Sequence, residues 1–209
     1  MSDHPAPPVT TEPDWVAHAV WWQVFPLGFT SAERESAALT HRLPHLESWL
    51  DYLIDLGCNG LALGPVFASS THGYDTVDHL ALDPRLGDDA DFDHLVATAQ
   101  ERGVRILLDG VFNHVGREHP WVVDALHHGP DSPAGQRIRW SGTHPESFEG
   151  HDILVALNHR NPEVHDHVVE VMTHWLARGA DGWRLDAASA HAPAFWAAVL
   201  PRVRAEHPD

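Results

Sequence analysis

Two aspartates close short apolar runs in this chain, Asp109 after Val104-Arg-Ile-Leu-Leu108 and Asp186 after Gly182-Trp-Arg-Leu185. Paired carboxylates at the ends of neighbouring strands crowd like charge and need compensation. They are also what acid–base and nucleophilic catalysis uses. Side chains alternate across a strand, so Gly182, Arg184 and Asp186 share one face while Trp183 and Leu185 take the other. The apolar pair belongs against helices, which leaves Arg184 beside Asp186 on the opposite face. A guanidinium there favours the ionised carboxylate, which suits a nucleophile and not a general acid. The competing structural reading is an ion pair that only ties the strand down. A third polar cluster, His72-Gly-Tyr-Asp75, follows the run Gly60-Leu-Ala-Leu63. Taken alone it is a turn capped by Asp75, with Tyr74 as loop packing.

The elements that would position these groups recur as strand–helix units. Val20–Phe25 is a β-rich run stopped by Pro26, and Leu43, Leu46, Leu50, Leu53 and Leu56 have helical spacing up to Gly57. After the short strand Gly60–Leu63 comes a helix over Asp91–Arg102, stopped by Gly103, and then the strand ending at Leu108. Asn161-Pro162 is an N-cap with proline at the first helical position, opening a helix to Arg178 before Gly179. The strand Asp181–Asp186 and a helix from Pro193 to about Arg204 complete four units. Strands separated by helices imply right-handed crossovers and a parallel sheet. An open doubly wound sheet and part of a (β/α)8 barrel both fit. One connection, residues 110–160, far exceeds the roughly 2–6 residues usual for such a loop. It is either a lid or a small inserted subdomain. Residues 1–14 hold four prolines and no periodicity, and are expected to form a flexible arm before a domain spanning 15–209.

Composition narrows the partners. Thirteen arginines, no lysine and thirty acidic residues give a formal charge of −17, which opposes nucleic acid and anionic membrane surfaces. No apolar run approaches the ~18 residues of a membrane helix, and no secretory leader is recognisable at the N-terminus. A cytoplasmic protein is expected. Cys58 is the single cysteine, so neither an intrachain disulfide nor a cysteine-based zinc site is available. The nineteen histidines could suggest a metal-dependent hydrolase. However, His165 and His167 lie two apart on a helix, and Leu43-Pro44 interrupts the i, i+4 pair His41 and His45. Solvated histidine and no metal site is the reading preferred.

Four segments together carry a family resemblance. Gly57–Val66 with His72-Gly-Tyr-Asp75, Leu108-Asp-Gly-Val-Phe-Asn-His114, Leu157-Asn-His-Arg-Asn-Pro-Glu-Val164 and Gly182-Trp-Arg-Leu-Asp186 resemble the α-amylase family, glycoside hydrolase family 13. Any one of these motifs is weak, but the set in this order is specific. The resemblance runs from about Val20 to about Arg204. It implies parallel (β/α) units of a TIM-type barrel, about four of eight, with a domain B-like insertion after the third strand. It also implies retaining hydrolysis of α-linked glucans or maltooligosaccharides. By position, Asp186 matches the nucleophile and Arg184 the arginine that orients it. Tyr74 matches the aromatic residue under the sugar, Asp75 and Asp109 structural acids of that subsite, and His114 a ligand of sugar hydroxyls. Asn113 matches a residue that binds calcium in many members, but Ala187-Ala-Ser189 replaces the Lys-His often found after the nucleophile. No other cofactor is implied.

The family places its general-acid glutamate on a fifth strand, which is expected to be absent from this chain. Glu206 lies at the end of a helix and does not match it. Two expectations compete: part of an α-glucan-active enzyme, or a barrel relic that binds sugar or a partner without turnover. Open strand edges are further expected to favour self-association.

Overall fold

The computed structural model describes residues 12–35 and 37–208. The chain runs through β1 (Trp21–Val24), α1 (Pro26–Phe29), α2 (Leu43–Glu47), α3 (Leu50–Asp55), β2 (Gly60–Leu63), β3 (Phe67–Ser69), β4 (Thr76–Leu82), α4 (Asp89–Glu101) and β5 (Arg105–Gly110). An insert follows, with β6 (His114–Gly116), α5 (Pro120–His128), β7 (Trp140–Ser141), β8 (His144–Pro145), β9 (Ser147–Phe148) and β10 (His151–Ala156). The chain then returns through α6 (Pro162–Ala177), β11 (Gly182–Leu185) and α7 (Pro193–Glu206).

Four strands form one parallel sheet in the order β1-β2-β5-β11. That order separates the two architectures left open by periodicity. A doubly wound sheet reverses its strand order at a switch point, whereas these four strands follow one another in chain order, as consecutive strands of a barrel do. β2, flanked on both sides, is buried along its whole length. Ile106 and Leu108 are buried in the core, as are Phe92 of α4 and Trp175 of α6. The Trp175 ring meets Phe92 at 4.9 Å and Phe67 at 5.2 Å, and its Nε1–H donates to His79 O at 2.8 Å. A buried indole thus finds both packing and a polar partner.

Several helix ends follow directly from the sequence. Asn161 Oδ1 accepts from Glu163 N at 2.9 Å, and Asp88 with Asp91 forms a reciprocal capping box ahead of α4. The helix expected over Leu43–Leu56 is instead two, α2 and α3, separated by Ser48 and Trp49. Ser48 Oγ donates to His45 O at 2.6 Å, so its hydroxyl competes with the backbone ladder. Leu43, Leu46, Leu50 and Leu53 are buried, but Leu56 is 53% exposed.

Other elements carry no clear sequence signal. β3 and β4 form an antiparallel hairpin around the loop 70–75. Its base is locked by Arg85 and Asp83, both essentially inaccessible to solvent. Arg85 donates to Asp83 through Nε at 2.8 Å and Nη2 at 2.6 Å, and also to Ser69 Oγ and the carbonyls of Glu33, Arg34 and Thr71. A buried charge is tolerable here because its donors are all engaged. The long connection contains a three-stranded antiparallel sheet, β6-β10-β9, and the small ladder β7-β8. Residues 1–11 of the expected arm fall outside the described residues. Asp14 opens a 3-10 turn, Asp14–His18, and Trp15 meets Trp21 at 6.1 Å.

Candidate active site

The parallel register sets Arg184 opposite Asp109 and Leu185 opposite Gly110. Side chains at paired positions project from the same face, so the sheet itself brings the guanidinium to the carboxylate. Arg184 Nη1 donates to Asp109 Oδ1 at 2.5 Å and Oδ2 at 2.7 Å, and to Asp186 Oδ1 at 3.1 Å. The two strand-end carboxylates therefore share one guanidinium nitrogen. Asp186 N donates to Gly110 O at 3.0 Å, extending the ladder one residue and fixing where that side chain begins. Ala187 then turns left-handed, at φ 47° and ψ 31°, which carries the chain out of the sheet immediately after Asp186. Such a conformation costs a non-glycine residue roughly 1–2 kcal/mol. Trp183, on the other face, lies 5.6 Å from Phe112 and 6.0 Å from Phe67.

The hairpin loop delivers Tyr74, whose hydroxyl donates to Asp109 Oδ2 at 3.4 Å. Burial raises the Tyr74 phenol above its ordinary range, and the Asp109 and Asp186 charges add to the effect. Burial also pushes the Asp109 carboxyl up, against the pull of the Arg184 hydrogen bonds and charge. The contacts decide its role more clearly: both oxygens accept from Arg184 and one also from Tyr74, an arrangement that suits a carboxylate.

Asp75 is buried and engaged within its own turn. It accepts from Thr71 Oγ1 at 2.7 Å and His72 N at 3.0 Å. The structure thus places it under Tyr74 as a capping residue of the loop. His114 is buried, stacks on Phe148 at 4.7 Å, and has an Nε2 with no hydrogen-bond partner among the described residues. Burial lowers its pKa to about 4, although the Asp186 charge opposes this. Asn113 is buried, with Nδ2 3.3 Å from His114 Nδ1. Calcium needs about 6–8 oxygen ligands. Among the described residues no close group of three His, Cys, Asp or Glu includes a residue of the loop 109–114.

Some supporting residues escaped the sequence reading. His159 Nε2 donates to Phe112 O at 2.8 Å and holds the loop that carries His114. Gly116 passes so close to the Asp75 carbonyl that a Cβ would collide with it. Phe148 supplies the ring face for His114 from thirty-odd residues away, and no local pattern announces that meeting. The expectation of solvated histidines is also corrected: His79, His114, His119 and His191 are buried, packed against aromatic rings or held by backbone groups. A groove of about 1260 Å³ lies between the insert and the helices α6 and α7, lined by Trp140, Asn158 and Phe195 among others. Asp109, Arg184 and Asp186 are not among its walls.

The profile of the family described as "Alpha amylase, catalytic domain" matches residues 23–149 and 148–195. The chain belongs to the α-amylase family. The intracellular maltogenic amylase of Bacillus subtilis is 35% identical over 224 residues, covering 94% of this chain and 37% of that protein. Neopullulanase 2 of Thermoactinomyces vulgaris is 34% identical, covering 96% of this chain and 39% of its own length. Among solved structures, the cyclic α-maltosyl-(1→6)-maltose hydrolase of Arthrobacter globiformis, in complex with maltose, superposes with a TM-score of 0.82 at 31% identity. That match covers 93% of this chain and 50% of that one. The debranching enzyme of Nostoc punctiforme gives 0.78 at 33% identity, over 94% of this chain and 47% of its own. This α-amylase-family chain thus spans less than two-fifths of these curated relatives and half or less of these structures.

Proposed function

We propose that this α-amylase-family chain carries the nucleophile side of a retaining α-glycoside hydrolase acting on α-linked glucans or maltooligosaccharides. Its four parallel strands are four of the eight units of the barrel, and the segment 110–160 is its domain B-like insert. One observation carries the reading: Arg184 joins Asp109 and Asp186 at the C-terminal ends of adjacent parallel strands, with Tyr74 closing on Asp109. That strand end is where parallel barrels keep their chemistry.

In this reading an Asp186 oxygen attacks the anomeric carbon, forming an ester as the glycosidic C–O bond breaks. Arg184 holds Asp186 in line and stabilises its negative charge. Tyr74 supports the sugar, and His114, which by position matches a ligand of sugar hydroxyls, stands in the adjoining loop with its Nε2 unpartnered and buried. Asp109 keeps Arg184 in place. The departing oxygen needs a proton, and Asp109 is poorly suited to give one because both its oxygens already accept hydrogen bonds. A family acid on a further strand would supply it.

That same engagement of Asp109 favours a second reading, in which the chain binds sugar without turnover. An activated fluorinated glucosyl donor separates the two. Fluoride leaves without protonation, so the nucleophile alone should form a glycosyl ester, visible as a mass increment on the Asp186 peptide. No increment on the folded chain would favour binding alone. A cytoplasmic setting belongs to the same proposal, consistent with the word "intracellular" in the name of the Bacillus subtilis relative. Among the described residues no helix is long and apolar enough to cross a membrane.

A further inference from the structure

His79, His119 and His167 come from three separate elements, yet one ring nitrogen of each lies within 4.8 Å of the others. His79 belongs to β4, His119 caps the insert helix α5, and His167 lies on α6. We propose that these three imidazoles form a zinc(II) site, separate from the carboxylates of the active site, that ties the insert to the hairpin and to α6.

The geometry of the first two ligands supports this. His79 Nε2 lies 3.1 Å from Val111 O, an acceptor, so Nε2 carries the hydrogen and Nδ1 presents its lone pair. His167 Nε2 lies 3.3 Å from that Nδ1. Two nitrogens on a tetrahedral zinc, each at about 2.0–2.1 Å, are separated by about 3.3–3.4 Å. The pair already has the spacing of a tetrahedral edge. Metal entry would only require the His167 proton to move from Nε2 to Nδ1, which faces Glu170 Oε2 at 4.0 Å. A carbonyl behind one ligand and a carboxylate behind another is the outer-shell arrangement that orients metal-bound histidines.

His119 is the adjustable member. Its Nδ1 accepts from Trp121 N at 3.2 Å, a contact between residues only two apart. Burial keeps all three rings neutral, the form that ligates. Three imidazoles with no thiolate suit zinc better than calcium or magnesium. His167 is the least buried of the three, and water would take the fourth position of a three-histidine zinc. His41, Asp88 and Asp91 form the other such cluster among the described residues. There the Asp88 and Asp91 carboxylates are already engaged in the capping box and with His41.

The test uses the 209-residue chain, stripped with chelator and dialysed against zinc chloride. One tightly held zinc per chain is expected. Affinity should fall by more than about 100-fold in His79→Phe and in His167→Gln, beyond what the loss of an outer-shell partner produces, and should be unchanged in His41→Ala. Near-UV circular dichroism checks that each variant folds. If either does not, cobalt(II) added to the wild-type chain decides. The intense visible bands of a tetrahedral nitrogen site, displaced one for one by zinc, are expected. Absence of stoichiometric zinc on the folded chain, retention of it in both folded variants, or only weak octahedral cobalt bands would each overturn the proposal.

Discussion

Asp186 and Arg184 differ in what they can tolerate losing. Asp186→Asn keeps the shape and removes the nucleophile, so ester formation with the fluorinated glucosyl donor should vanish while the melting temperature stays nearly unchanged. A mutant trapped as readily as the parent would move the nucleophile elsewhere. Arg184→Met should cost both function and stability. It leaves Asp109 buried without its cation, and the cost is about 1–3 kcal/mol once the partial exposure of Arg184 is allowed for. Denaturant titration measures it, and a neutral result would mean that water takes over the role of the guanidinium. Starch is expected to resist the chain as it stands, because the loss of acid catalysis alone costs a factor of about 10²–10⁴. Robust starch hydrolysis would show that Asp109, or a carboxyl from a partner chain, donates the proton.

The β3–β4 hairpin is the element on which Tyr74 depends, and Arg85 is its lock. Removing one partner of a buried, fully hydrogen-bonded pair leaves an uncompensated charge, at a cost of about 3–5 kcal/mol. Arg85→Met should therefore lower stability by that amount, and chemical denaturation of the variant tests it. A change below about 1 kcal/mol would mean that the donors Asp83 already has in Ser69 suffice without the guanidinium. β6 belongs to the same structural problem, since Gly116 must remain a glycine to lie against Asp75.

At the scale of the whole molecule, histidine burial makes stability depend on pH. Burial lowers His119 to about 3 and His114 and His159 to about 4, from an ordinary value of 6.5. Between those values and 6.5 the unfolded chain binds protons that the folded chain refuses, so stability rises with pH through that window. It is complete above the unfolded value and lost as pH falls, at up to about 1.4 kcal/mol per pH unit for each fully refused proton. Melting temperatures recorded across that window should drop steadily on acidification. A flat profile would mean that these rings are solvated. Among the described residues β1 and β11 each have a single strand neighbour in the parallel sheet. Unpaired edges recruit other strands, so self-association of this chain is expected by light scattering, and a monodisperse monomer would refute it.

Local rules reach a definite depth in this sequence. Asn161-Pro162, Gly103, Gly179 and the apolar runs ending at Leu63, Leu108 and Leu185 mark the strand–helix units, because capping, glycine stops and periodicity are satisfied within a few residues. Alternation along one strand also put Arg184 beside Asp186. The strand order, the pairing of Arg184 with Asp109, the Arg85 network and the three-histidine cluster lie beyond that depth. Each joins residues distant in sequence, through contacts that exist only after the sheet forms and the connections pack against it. Leu56 shows the limit from the other side: its spacing continues that of the buried leucines, but it falls just past the end of α3 and is exposed. Periodicity states which face an element offers, and only the packed structure decides what covers it.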